Sequence, residues 1–129
     1  MSQLLRIFII CIASTTPLWA EVALPSGQTV TLQDMLIEDT AEPVARFRYI
    51  APAISRQTGY LNYADVEADF QVLCRDHALQ LLADQGIRPA QVIVSLSDRP
   101  VAFGVTLPEA TQFFEAFRIE DQSCVWDMF

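Results

Sequence analysis

The 129-residue chain carries eight Arg, no Lys and sixteen Asp plus Glu, a net charge of −8. A chain this acidic, with no basic cluster, is a poor partner for nucleic acid or anionic lipid, and both are excluded. Four scattered glycines cannot build a phosphate cradle, and a single His leaves catalytic triads and multi-His metal sites little to work with.

The first twenty residues have the layout of a secretory signal. Arg6 supplies a positive start, Ile7 to Ala13 is an apolar run, and Thr16 to Ala20 ends on a small residue. The run is far short of the roughly 20 apolar residues that a membrane-spanning helix needs. Cleavage is expected after Ala20. Taking 20 residues from 129 leaves a single domain of 109, residues 21–129. Without Arg6, seven Arg face sixteen acidic residues, a net −9. The expected location is periplasmic or secreted, with no stable membrane insertion once the signal is removed.

Glu21 to Leu24 reads as an extended lead-in that stops at the Pro25-Ser26-Gly27 turn. A strand follows from Gln28. Thr31 and Asp34 have the spacing of a capping box that would open one helical turn at Met35-Leu36-Ile37. Continuation of the strand is favoured, since a turn-like Asp39 to Pro43 and a second strand follow. Val44 to Ile50 alternates, with Phe47 and Tyr49 on one face and Arg46 and Arg48 on the other, as in a half-buried hairpin arm. Asn62, with Asp65 three residues on, marks a helix start, and Gly86 marks its stop. Between them Val66, Phe70, Leu73, Cys74, His77, Leu81 and Leu82 form one apolar stripe, which predicts a helix from Tyr63 to Gln85. Asp65, Asp69 and Asp76 are assigned to its outer, solvated side.

Gln91 to Ser97 is a short run with three β-branched residues, closed off by Pro89 and Pro100, and reads as the buried central strand. Thr111 to Ile119 alternates again, with Phe113, Phe117 and Ile119 opposite Phe114, Ala116 and Arg118. A hairpin loop at Glu120 to Ser123 leads into a last strand from Cys124 to Phe129, on which Trp126 shares the face of Cys124. The predicted fold is α+β: an antiparallel sheet of about five strands with one long helix packed on one face.

Once Cys11 is removed with the signal, Cys74 and Cys124 remain, and in an oxidising compartment they are expected to form a disulfide. Cys74, His77 and Cys124 also have a spacing that permits three zinc ligands, but the bridge is favoured and no metal or cofactor is expected. Asp98-Arg99-Pro100 leaves the end of the central strand, where loops often carry function. There Asp98 can serve as an acid or base and Arg99 can grip an anion, which makes them the candidate catalytic pair. The simpler alternative is a turn capped by Asp98, with Arg99 paired to a neighbouring carboxylate. Arg46 and Arg48 are a candidate anion-binding pair on one strand face.

Pro25 to Gln28, Arg46 to Pro52, Ser95-Leu96-Ser97-Asp98-Arg99-Pro100-Val101-Ala102-Phe103-Gly104, and Gln112 to Phe117 running into Cys124-Val125-Trp126 resemble an uncharacterised family of short exported proteins from alphaproteobacteria. The resemblance covers nearly all of residues 21–129 and implies no function. Taken with the residues, it leaves a non-enzymatic module that binds a protein or a small molecule as the expected function. The alternative is a small hydrolase or lyase using Asp98 and Arg99.

Overall fold

A computed structural model describes residues 22–127. The expected signal segment and the last two residues of the expected final strand lie outside the described residues. One sheet holds six strands in sequence order: β1 (Val22–Ala23), β2 (Thr29–Glu38), β3 (Val44–Ile50), β4 (Gln91–Ser97), β5 (Gln112–Glu120) and β6 (Ser123–Trp126). The lead-in is thus a short sixth strand, with Val22 opposite Val30. The fold is α+β, but the sheet is mixed rather than antiparallel. All neighbours pair antiparallel except β3 and β4, which run parallel from Val44–Gln91 to Ile50–Ser97.

The reason for the parallel pair is the helix between these two strands. A two-residue hairpin reverses the chain, whereas a crossover helix carries it back to the end from which it started, so the next strand runs the same way. This helix, α1, is α-helical over Tyr63–Val72, π-wound over Leu73–Ala78 and α-helical again over Leu79–Asp84. Asn62 caps it reciprocally: its side chain accepts from the Asp65 N–H at 3.1 Å, and the Asp65 carboxylate accepts from the Asn62 N–H at 2.9 Å. Gly86, at φ +69°, stops it one residue beyond Gln85.

The π turn answers a geometric problem in the sequence. Val66, Phe70, Cys74, Ala78 and Leu82 are all buried at intervals of four. On an ideal α-helix each such step drifts by about 40°, or about 160° over the series, so the stripe would rotate off the sheet. The wider winding over Leu73–Ala78 takes up part of that drift. The stripe packs on Ala45, Phe47, Tyr49, Val92, Val94, Leu96 and Phe117, the alternate residues of β3, β4 and β5.

The sequence pattern puts Asp69 on the solvated side of the helix, and the structure corrects this. It is fully buried and accepts hydrogen bonds from the Ser26 N–H at 2.9 Å, the Ser26 hydroxyl at 2.6 Å and the Gln28 amide at 2.9 Å. The helix is thereby tied to the turn between β1 and β2. A buried carboxylate is tolerated when donors satisfy it, and here three do. At the other edge the sulfurs of Cys74 and Cys124 are bonded, with Cα atoms 6.3 Å apart. Cys124 directly follows the tight β5–β6 turn, in which Asp121 and Gln122 both take positive φ (49° and 61°), the pattern of a two-residue hairpin. Trp126 faces the same side, with its ring centroid 5.1 Å from that of Phe117.

The bridge closes a loop with a sequence separation of 50. For a loop of this size the chain-entropy account gives a few kcal/mol. A Cys74→Ala/Cys124→Ala double variant is expected to lose about 2–4 kcal/mol in urea unfolding while keeping its far-ultraviolet circular dichroism. Unaltered stability would show that the bridge adds nothing to the fold.

Candidate functional site

The helix covers only one face of the sheet. The opposite face presents Arg46 and Arg48 from β3, Ile93, Ser95 and Ser97 from β4, and Gln112 and Phe114 from β5. A bulge between Leu32 and Asp34 adds Gln33 to this set by inserting one extra residue in β2. The chain leaving β4 folds back over this face before entering β5, and the space between loop and sheet is a groove of about 260 Å³.

Two clamps hold the loop. At its base Asp98 donates its N–H to the Thr111 carbonyl at 3.0 Å and accepts the Thr111 N–H on its carboxylate at 3.1 Å. The Arg99 guanidinium grips the same carboxylate through Nε at 3.1 Å and Nη2 at 2.9 Å, and also reaches the Gln57 side-chain oxygen at 3.0 Å. The Asp98 side chain is 1% exposed and that of Arg99 37%. Over the sheet, the Gln33 amide donates to the Val101 carbonyl at 3.0 Å, and Arg48 donates to the same oxygen. The guanidinium carbons of Arg46 and Arg48 each lie 5.6 Å from the centre of the Phe103 ring, within cation–π range. Gly104, at φ +79°, turns the loop just past that ring.

The two arginines differ in what they are free to do. Arg48 is 13% exposed and committed to Asp34 at 2.7 Å as well as to Val101. Arg46 is 30% exposed and, among the described residues, bonds only through Nε, to Glu38 at 2.7 Å. Its terminal nitrogens, the Ser95 hydroxyl and the Gln112 amide make no hydrogen bond among the described residues, and all three side chains line the groove. Beside them stand Phe103, Val105 and Phe114, three of the five large apolar side chains most exposed among the described residues.

Asp98 and Arg99, the candidate catalytic pair, are brought together but sit at the base of the loop, outside the groove lining. The Arg99 guanidinium, the Thr111 N–H and Ser55 hold the Asp98 carboxyl below the usual carboxylate range, against the opposing effect of burial. A carboxylate so engaged on both oxygens is built to stay ionised and to position backbone. The zinc arrangement is not formed, since Cys74 and Cys124 are bonded to each other and His77 instead meets the Tyr49 hydroxyl through Nδ1 at 2.6 Å. Desolvation lowers the His77 pKa from its ordinary value. Among the described residues no cluster of three or more His, Cys, Asp or Glu is arranged to hold a metal, and no helix is long and apolar enough to cross a membrane.

Sequence reasoning placed Arg46 and Arg48 on one face but missed Gln33, Ser95, Phe103, Gln112 and Phe114 as their companions. The strand parity held part of this signal. Residues 46, 48, 93, 95, 112 and 114 all alternate with helix-facing neighbours, so together they define the uncovered face.

Fold and site define a small α+β domain whose six-stranded mixed sheet is covered by a helix on one side and overhung by a loop-walled groove on the other. The chain belongs to the Family of unknown function (DUF6497), whose sequence profile matches residues 10–129. No curated protein and no solved structure matches it.

The lowered pKa of Asp98 fixes the sign of a pH effect. A carboxyl whose folded pKa lies below its unfolded value contributes stability that is present above the unfolded value and lost as pH falls through the folded one. Asp98→Asn is expected to be less stable than the parent by about 1–3 kcal/mol at pH 7. That gap should close as the pH is lowered through and below the ordinary carboxylate value near 4. Urea unfolding of both proteins across that range checks this, and a gap independent of pH would contradict it.

Proposed function

We propose that this is an exported, non-enzymatic binding domain that holds a small molecule in the groove between the loop and the open sheet face. The observation that carries the reading is the lining itself. Apolar walls from Phe103, Val105 and Phe114 surround unengaged polar groups on Arg46, Ser95 and Gln112. Apolar walls with a few convergent polar groups are the usual make-up of small-molecule sites.

Export is supported by the signal-like segment before Glu21 and by a disulfide, which persists in oxidising compartments. The hydrolase or lyase alternative through Asp98 and Arg99 has less support. Both Asp98 oxygens are occupied by Thr111 and Arg99, and an acid or base must have an oxygen free to reach a substrate proton.

Native mass spectrometry of protein purified from the exporting cell reads both parts of the proposal. The expected species begins at Glu21, carries one disulfide and retains a non-covalent small molecule. A Ser95→Tyr variant, which fills the groove, is expected to lose that adduct. Retention of residues 1–20 in the soluble protein would contradict export. An adduct equally abundant on Ser95→Tyr would contradict binding in the groove.

A further inference from the structure

Resting on the binding reading above, we infer that the groove takes a small carboxylate with a flat apolar body, and that Arg46 is the residue that recognises the charged end. The chain as a whole has twice as many acidic as basic residues, yet among the described residues the groove is lined by two arginines and by no Asp or Glu. The carboxylates that balance those arginines, Glu38 and Asp34, stand outside the lining and hold Arg46 and Arg48 from behind. A cationic ligand would meet guanidinium charge with no counter-charge in the lining, and a neutral one would give the terminal nitrogens of Arg46 no anionic partner.

The hydrogen-bonding edge selects the kind of anion. With Nε held by Glu38, the free edge of Arg46 is its pair of terminal nitrogens, whose planar fork matches the two oxygens of a carboxylate. Arg48 is unsuited to the same task, because Asp34 and the Val101 carbonyl already occupy it. The body of the ligand is fixed by Phe103 and Phe114, whose exposed rings offer flat apolar surface, with Ile93 and Val105 completing the walls. The Ser95 hydroxyl and Gln112 amide can then donate to, or accept from, a polar substituent on that body. A groove of about 260 Å³ suits a body of one or two fused rings.

The test titrates isotopically labelled mature protein with three probes that share one ring system: 2-naphthoate, 2-naphthylmethanol and 2-naphthylmethylamine. Naphthoate is expected to shift the amide resonances of Arg46, Ser95, Phe103 and Phe114 and to bind about tenfold or more tighter than the alcohol, the amine being weakest. Arg46→Gln should bring naphthoate down to the affinity of the alcohol, abolishing the difference between the two probes. Glu38→Gln, which removes the counter-charge from Arg46, should tighten naphthoate binding.

Equal affinity for naphthoate and the alcohol, tighter binding of the amine, or an Arg46→Gln variant that binds naphthoate as the parent does would each overturn the carboxylate assignment while leaving a groove that binds. If none of the three probes moves a groove resonance at millimolar concentration, the binding reading falls, and this inference with it.

Discussion

The groove depends on one carboxylate. Asp98 and Thr111 lie 13 residues apart, at the end of β4 and next to the start of β5, and the Asp98 side chain joins them at the base of the loop. Without that contact the loop has ends that could drift with the fraying of two strands. With it, the ends are fixed, and Pro100 and Pro108 limit the paths that the backbone can take between them. Arg99 extends the clamp through Gln57 to the segment between β3 and the helix, and Arg56 of that segment donates to the Pro108 carbonyl at 2.7 Å, so the loop is held from the side as well as from below. Between these ends the crest from Val101 to Thr106 rests on Gln33 and Arg48 through the Val101 carbonyl, and on Arg46 and Arg48 through the Phe103 ring.

The opposite face of the sheet has a different job. The helix buries Val66, Phe70, Leu73, Cys74, Ala78 and Leu82 against the central strands, and it is fastened at both edges of the sheet. Asp69 ties it to the turn between β1 and β2, and Cys74 ties it to β6. This division lets the uncovered face remain polar and partly open without loss of the core. The bulge at Gln33 serves the open face directly, because the extra residue is the one that reaches Val101.

Much of the helix-side architecture was legible in the sequence. Asn62 with Asp65, the apolar stripe and Gly86 gave the helix to within a residue, because capping and periodicity are local signals. The alternation in Val44 to Ile50 and in Thr111 to Ile119 gave the faces of β3 and β5 correctly. The parallel pairing of β3 with β4 was not read, although a helix between two neighbouring strands implies it; local alternation carries no direction. Asp69 was misplaced because a carboxylate between apolar positions looks solvated until Ser26 and Gln28, over forty residues earlier, arrive to satisfy it. The groove was hidden for the same reason. Arg46 and Arg48 were noticed, but Phe103 reaches them only through the path of a loop that no periodicity describes.

The central claim is that Asp98 holds the loop over the open face as a unit separable from the helix-covered core. Native-state hydrogen exchange of the parent and of Asp98→Ala tests this most directly, read at the amides of Val105, Ala110 and Thr111 against those of Val94 and Leu96. The account predicts that the loop amides lose protection in the variant while those of the central strand keep most of theirs. Equal loss of protection in loop and strand, or loop amides as protected in Asp98→Ala as in the parent, would contradict it.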